Sequence, residues 1–431
     1  MTREMKNSGI PWIGEIPEGW KMCFIKQIMR NKSIKGFPNE RVLSLYRDYG
    51  VVPKDSRDDN HNVTSDDTSS YKLVDDGDFV INKMKAWQGS MAVSEYRGII
   101  SPAYYICRIT TTDINKRYIH YLLRNDSYKT EYMRLSSGLR VGQWDLNIDD
   151  FLRIMMILPP LAEQQRIAEF LDRKCAEVDE MIALQEQIIE ELKAYKQSVI
   201  TEAVTKGLNP AAPMRDSGID WIGSIPEHWE VCRVKNVASL FGRIGFRGYT
   251  SDDLNKDGEG AITLSPSNML PMGMDYTNVT YLSWMKYHES PEIMIQNGDI
   301  LMVKTGSSYG KVSYVDNLPK EATINPQILR IVSRINSKYL GYYLQTPLFI
   351  YQVEGGVVGG TIPTISQEKI NNFFVAMSSI EEQQAIADYL DEKCADIDSL
   401  IQTKQSKIDS LKEYKKSIIY EYVTGKREVN E

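Results

Sequence analysis

Residues 161–182 read LAEQQRIAEFLDRKCAEVDEMI, and residues 380–401 read IEEQQAIADYLDEKCADIDSLI. The second copy follows the first by 219 positions, and the likeness continues from AYKQSVITEAVT (194–205) to EYKKSIIYEYVT (413–424). Helix formers dominate both stretches and neither holds an internal Pro or Gly, so each reads as one long helix. Leu171, Val178, Ile182, Ile189, Leu192 and Val199 form an apolar stripe, and Leu390, Ile397, Ile401, Ile408, Leu411 and Ile418 form its counterpart. Steps of 7, 4, 7, 3 and 7 keep each stripe on one helical face. A helix of about 40 residues spans roughly 60 Å and cannot bury such a stripe alone. Two in one chain can bury each other as a coiled coil. The alternative lays each helix on its own neighbouring domain; the matched stripes, needing a common partner, favour the coil.

A second repeat lies outside the helices. Residues 8–26, SGIPWIGEIPEGWKMCFIK, match residues 217–235, SGIDWIGSIPEHWEVCRVK, at 12 of 19 positions; about one or two would match by chance. The shared residues include Trp12/Trp221, Gly14/Gly223, Pro17/Pro226, Trp20/Trp229 and Cys23/Cys232. After the first helix, KGLNPAAPMRDSG (206–218) marks a helix stop and a linker. The order is globular region, long helix, linker, globular region, long helix, divided as 1–157, 158–207, 208–376 and 377–431. The globular regions read as mixed α/β within an α+β chain. Strands are expected at 78–82, 98–109, 300–304 and 323–331, with short helices at 118–124 and 339–345. The two regions align only weakly: GDFVINKM (77–84) answers GDILMVKT (298–305), and Ser101-Pro102 answers Asn325-Pro326. A duplicated scaffold with two divergent globular regions points to two related jobs on different targets.

The 431 residues allow two to four domains. No apolar run approaches the roughly 18 residues of a membrane helix, and MTREMKNSG at the start has no apolar signal region. A soluble, cytoplasmic chain is expected. The five cysteines form no C-x-x-C pair, and four sit at repeat-equivalent places, as in duplicated packing. The net charge of −7 is uneven: residues 1–157 carry +3, whereas residues 210–376 carry −2. Any DNA contact must therefore use local patches.

Three segments carry a resemblance: GDFVINKMKAWQGSMAVSEYRGIISPAYYICR (77–108), DDFLRIMMILPPLAEQQRIAEFLDRKCAEVD (149–179), and the second EEQQ…LDEK helix. With the duplicated layout, the chain resembles the specificity subunit of type I restriction-modification enzymes over nearly its whole length. The resemblance implies two target-recognition domains, each reading one half of a split DNA site. It implies two helices paired antiparallel as a ruler, and halves related by a pseudo-two-fold axis. It also implies a non-catalytic chain that docks two adenine methyltransferase subunits and, in the full complex, motor-nuclease subunits. S-adenosylmethionine, ATP and magnesium would belong to those partners. The repeated Trp-Ile-Gly segment would shape equivalent junctions between recognition domain and helix. One departure stands out: residues 376–380 read AMSSI where 157–161 read ILPPL. The helix start should survive this change, with the hinge geometry in question.

The residues themselves favour a chain without its own chemistry. An amino-methylase needs an Asn/Asp-Pro-Pro-aromatic element; LPPL (158–161) and NPQI (325–328) fail it. GSSYGKVS (306–313) has one residue too few between its glycines for a phosphate loop, and Val312 replaces the Ser/Thr that would reach magnesium. His61, His120, His228 and His288 are scattered, without metal-ligand spacing. Asp391, Glu392 and Lys393 read as a solvated helix face. DNA reading instead needs donors and acceptors on loops, with cations for phosphates. NKMKAWQGS (82–90) offers Lys83, Lys85, Trp87 and Gln88, and SSGLRVGQWD (136–145) offers Arg140, Gln143 and Trp144. In the second half, VKTGSSYGK (303–311) offers Lys304, Ser307, Ser308, Tyr309 and Lys311, and FGRIGFRGY (241–249) offers Arg243 and Arg247. VEGGVVGGT (353–361) is a Gly-rich loop placed like 138–142. The plain alternative makes each an ordinary polar turn, with Trp87 or Trp144 in a core. The competing function is a coiled-coil scaffold whose two heads bind proteins.

Overall fold

Two unbroken helices, α1 (Leu161–Lys206) and α2 (Ile380–Val423), frame the computed structural model, which describes residues 3–47, 49–57, 64, 67–138, 144–255, 258–356 and 363–429. The chain forms two units, residues 1–186 with 405–431 and residues 187–404. Each unit takes the N-terminal part of one long helix and the C-terminal part of the other. In the first unit Asp179 accepts from Lys415 Nζ at 2.6 Å, and the Phe170 and Tyr422 rings pack at a tilt of 39° with centroids 4.4 Å apart. One sequence number rises as the other falls, so the helices pair antiparallel, as a coiled coil. In the second unit the equivalent ion pair joins Lys196 to Asp398 at 2.6 Å. Leu171 shares a core with Ile418, Tyr422 and Val423, and Leu390 shares one with Ile200, Ala203 and Val204. Of the expected stripe residues, Leu171, Val178, Ile189, Leu390, Ile397, Ile408 and Ile418 are buried. Ile182, Leu192, Val199, Ile401 and Leu411 are half-buried.

Each unit builds a four-stranded antiparallel sheet. The first contains β1 (Met29–Lys32), β2 (Phe79–Asn82), β3 (Met91–Val93) and β4 (Tyr104–Ile109), in the order β1-β4-β2-β3. The second contains β5 (Ala238–Gly242), β6 (Ile300–Val303), β7 (Val312–Tyr314) and β8 (Ile328–Ser333), in the order β5-β8-β6-β7. The two sequences barely align, yet the topologies are identical. Buried runs such as Phe79, Val80 and Ile81, or Ile300, Leu301 and Met302, suit central strands covered on both faces.

Two expected strands are shorter than their apolar runs. The stretch at 98–109 divides into Gly98–Ile100 and β4, and that at 323–331 into Ala322–Ile324 and β8. The breaks fall at Ser101-Pro102 and Asn325-Pro326. Proline has no N–H for a ladder, so the chain changes sheet there. Gly98–Ile100 pairs with Lys72–Val74, whereas Ala322–Ile324 lies parallel to Ala261–Leu264.

The repeated tryptophan segment joins sheet to helix in the same way twice. Lys21–Phe24 pairs with Met155–Leu158, and Glu230–Arg233 with Phe374–Met377. Buried Trp20 donates from Nε1 to Glu163 Oε2 at 3.1 Å, and buried Trp229 donates to Glu382 Oε2 at 2.9 Å. Next to these carboxylates, Gln164 Nε2 donates to Pro159 O at 2.9 Å, and Gln383 Nε2 to Ser378 O at 2.8 Å. The change from ILPPL to AMSSI thus leaves the hinge bonds in place, because the acceptor is a backbone carbonyl that either residue supplies.

Candidate nucleic-acid interface

The loop between β2 and β3 begins at Lys83, and the loop between β6 and β7 begins at Lys304. They leave equivalent strands at equivalent ends, since Asn82 pairs with Tyr104 and Val303 with Ile328, the first residues of β4 and β8. Each loop closes on a left-handed glycine, Gly89 (φ 78°) or Gly310 (φ 82°), a conformation that costs other residues about 1 kcal/mol or more.

In the first loop Lys85 is exposed, while Lys83, Trp87 and Gln88 are half-buried. Trp87 Nε1 donates to Met84 O at 3.2 Å. The Trp87 and Trp144 rings meet edge to face, with centroids 5.4 Å apart, and Leu146 N donates to Lys83 O at 3.1 Å. Two separate candidate stretches therefore come together. Arg140 and Gln143 lie outside the described residues. In the second loop Ser307, Ser308 and Lys311 are exposed, and Lys311 Nζ donates to Pro266 O at 3.0 Å. Tyr309 is half-buried against the unit's core. Burial pulls the Lys304 ammonium below its ordinary pKa. Ile365 N donates to Lys304 O at 2.9 Å and Gly306 N to Pro363 O at 3.1 Å. The segment after the second Gly-rich loop thus packs on the hairpin loop, as the segment at Trp144 does in the first unit.

Arg243 and Arg247 differ from the rest. Arg243 is buried: its guanidinium donates to Ile324 O at 3.2 Å and to Thr323 Oγ1 at 3.0 Å, and burial lowers its pKa. Its donors hold the Ala322–Ile324 strand. Arg247 is half-buried and lies 3.5 Å from Glu292. The arginine's type and spacing are visible in sequence, but the partners that occupy it are far away in the chain.

Sequence reasoning also missed residues that fix the site's foundations. Tyr118 Oη donates to Val423 O at 3.1 Å and Tyr339 Oη to Val204 O at 3.1 Å. Each fastens a short helix, Lys116–Arg124 or Ser337–Tyr343, to the far end of the other half's long helix. Asn115 and Asn336 cap these helices through side chains that accept from Tyr118 N and Tyr339 N. The equivalent positions of both residues were the available signal. Among the described residues, no group of His, Cys, Asp and Glu side chains is placed to hold a metal ion. None of their helices is long and apolar enough to cross a membrane.

A family model for the type I restriction modification DNA specificity domain matches residues 17–194 and again residues 226–413. The chain belongs to that family. It is similar to the putative type I restriction enzyme MjaX specificity subunit of Methanocaldococcus jannaschii, at 26% identity over 96% of this chain and 95% of that one. The MjaVIII specificity subunit of the same organism is 24% identical over 95% of this chain and 93% of its own. A solved chain from work on complex assembly and conformational transition of the type I R-M system has the same fold. Its TM-score is 0.70 at 16% identity, over 95% of this chain and 98% of that one. The chain is therefore a DNA-specificity subunit with two target-recognition domains, and catalysis lies in other subunits. The repeated domain explains why each unit carries a four-stranded sheet of the same strand order, a variable loop set and a junction tryptophan.

Proposed function

We propose that the chain reads a bipartite double-stranded DNA site, with residues 1–157 taking one half and residues 208–376 the other. Residues 158–207 and 377–431 form the spacer. The observation that carries this reading is the pair of identical sheet topologies presenting dissimilar loops from the same strand ends. Lys83, Lys85, Trp87, Gln88, Arg140, Gln143 and Trp144 serve the first half-site. Lys304, Ser307, Ser308, Tyr309, Lys311 and Arg247 serve the second, with Arg243 holding the strand that precedes Asn325. The duplicated scaffold docks two adenine methyltransferase subunits, one per half, and motor-nuclease subunits complete the assembly in the cytoplasm. S-adenosylmethionine, ATP and magnesium are held by those partners.

The test is an adenine-methylation map of DNA from cells making the neighbouring methyltransferase subunit, with and without this chain. A split motif with a fixed gap, lost when the chain is absent, is the expected result. Methylation of an undivided motif, or methylation that persists without the chain, would sink the reading.

A further inference from the structure

The geometry points to a clamp for the DNA phosphate backbone formed by Lys35, Lys72 and Lys83 in the first unit. It rests on the DNA-reading function above and adds a contact that is independent of base sequence. The three lysines come from separate segments that the fold draws together. Leu73 N donates to Ile34 O at 2.8 Å, which sets Lys35 alongside Lys72. Lys72 Nζ donates to Tyr104 O at 2.6 Å. Tyr104 pairs with Asn82 at the end of β2, and Lys83 is the next residue. The three chain segments thus converge where the loop of residues 83–90 leaves the sheet.

Neighbouring cations have their charge answered. Lys32 is buried against Asp78 at 2.5 Å and Asp75 at 2.7 Å, and Arg97 and Arg108 also pair with Asp75. Among the described residues, no carboxylate lies within 4 Å of the Lys35, Lys72 or Lys83 ammonium. Burial, then the like charges of Lys83 and Lys35, pull the Lys72 pKa below its ordinary value. Converging cations without counter-charge raise the energy of the free protein, and a polyanion relieves that cost. A backbone of regularly spaced phosphates beside a base-reading loop meets that requirement. The placement also accords with the charge division, +3 over residues 1–157 in a chain of −7.

The test uses the full chain purified with its methyltransferase subunit. Affinity is measured across salt concentrations for a duplex carrying the methylated motif and for an unrelated duplex. Each neutralised phosphate contributes about 0.9 to the slope of log K against log salt, so K35Q and K72Q should each lower the slope by about one. Both duplexes should weaken by a similar factor, the methylated motif should stay the same, and K72R should retain most of the wild-type slope. Lys35 is exposed, so K35Q tests the clamp without touching the core even if K72Q disturbs folding. Unchanged slopes in K35Q beside normal motif methylation would overturn the clamp and leave the specificity function standing. A changed motif with an unchanged slope would make these lysines base readers, which also overturns it. Failure of the wild-type complex to bind either duplex would overturn both.

Discussion

Tyr118 and Tyr339 show how much one hydroxyl can hold. Each is fully buried, and each donates towards two carbonyls that belong to different parts of its unit. Tyr339 Oη lies 3.1 Å from Val204 O and 2.9 Å from Ala376 O. A buried acceptor left without a donor costs about 1–3 kcal/mol, so Tyr339→Phe should destabilise by that order. Tyr351 is 59% exposed, and surface changes typically fall within about 0.5 kcal/mol, so Tyr351→Phe supplies the control. Denaturant titration of the two variants checks the contrast; equal midpoints would show that Tyr339 holds nothing. At this scale the sequence was legible only where the repeat marked a position twice. Tyr118 and Tyr339 are visible as equivalents, but their acceptors lie 305 and 135 residues away, and no local pattern reveals them. Arg243 is the opposite failure. Its type invites a DNA role, and only the fold reveals that its donors are committed to Ile324 and Thr323.

The long helices separate charge from apolar burial in the same element. Lys196–Asp398 and Lys415–Asp179 are repeat-equivalent, yet the carboxylates are 58% and 57% exposed. Pairs this exposed contribute about 0.2–1 kcal/mol and are screened by salt. Asp398→Ala should therefore lower stability by no more than about 1 kcal/mol, and the loss should fade in concentrated salt. Leu390, by contrast, is fully buried, and Leu390→Ala should cost about 2–5 kcal/mol, with little salt dependence. Thermal denaturation at low and high salt distinguishes the two. A salt-sensitive Leu390→Ala, or a larger loss for Asp398→Ala, would mean the coil is held by its charges. The helices were legible in advance because their period is local and sustained. The sheets were not, because strand order is set by pairings between distant segments, and the prolines visible in the runs at 98–109 and 323–331 do not by themselves reveal that the chain changes sheet there.

Across the whole chain, duplication and divergence are placed in different parts. What repeats is the junction: Trp20–Glu163 with Trp229–Glu382, and Gln164 with Gln383. What varies is the sequence between those junctions, and the second unit adds a four-stranded sheet built on Ala261–Leu264 that has no counterpart among the described residues of the first. Residues 30–150 lie between the strand pair Lys21–Phe24 and Met155–Leu158, so a relative's segment can replace them while the Trp20–Glu163 and Gln164–Pro159 bonds remain. Such an exchange should alter one half of the methylated motif and leave the other half unchanged, because every second-half loop residue lies in 187–404. The complementary change, Ser307→Ala with Ser308→Ala in the exposed loop, should relax only the other half, and each lost base contact should cost about 1–3 kcal/mol of discrimination. Methylation mapping of both variants reads the outcome directly. If either alteration changed both halves together, the two units would not be reading DNA separately, and the division of labour inferred from the paired sheets would fail.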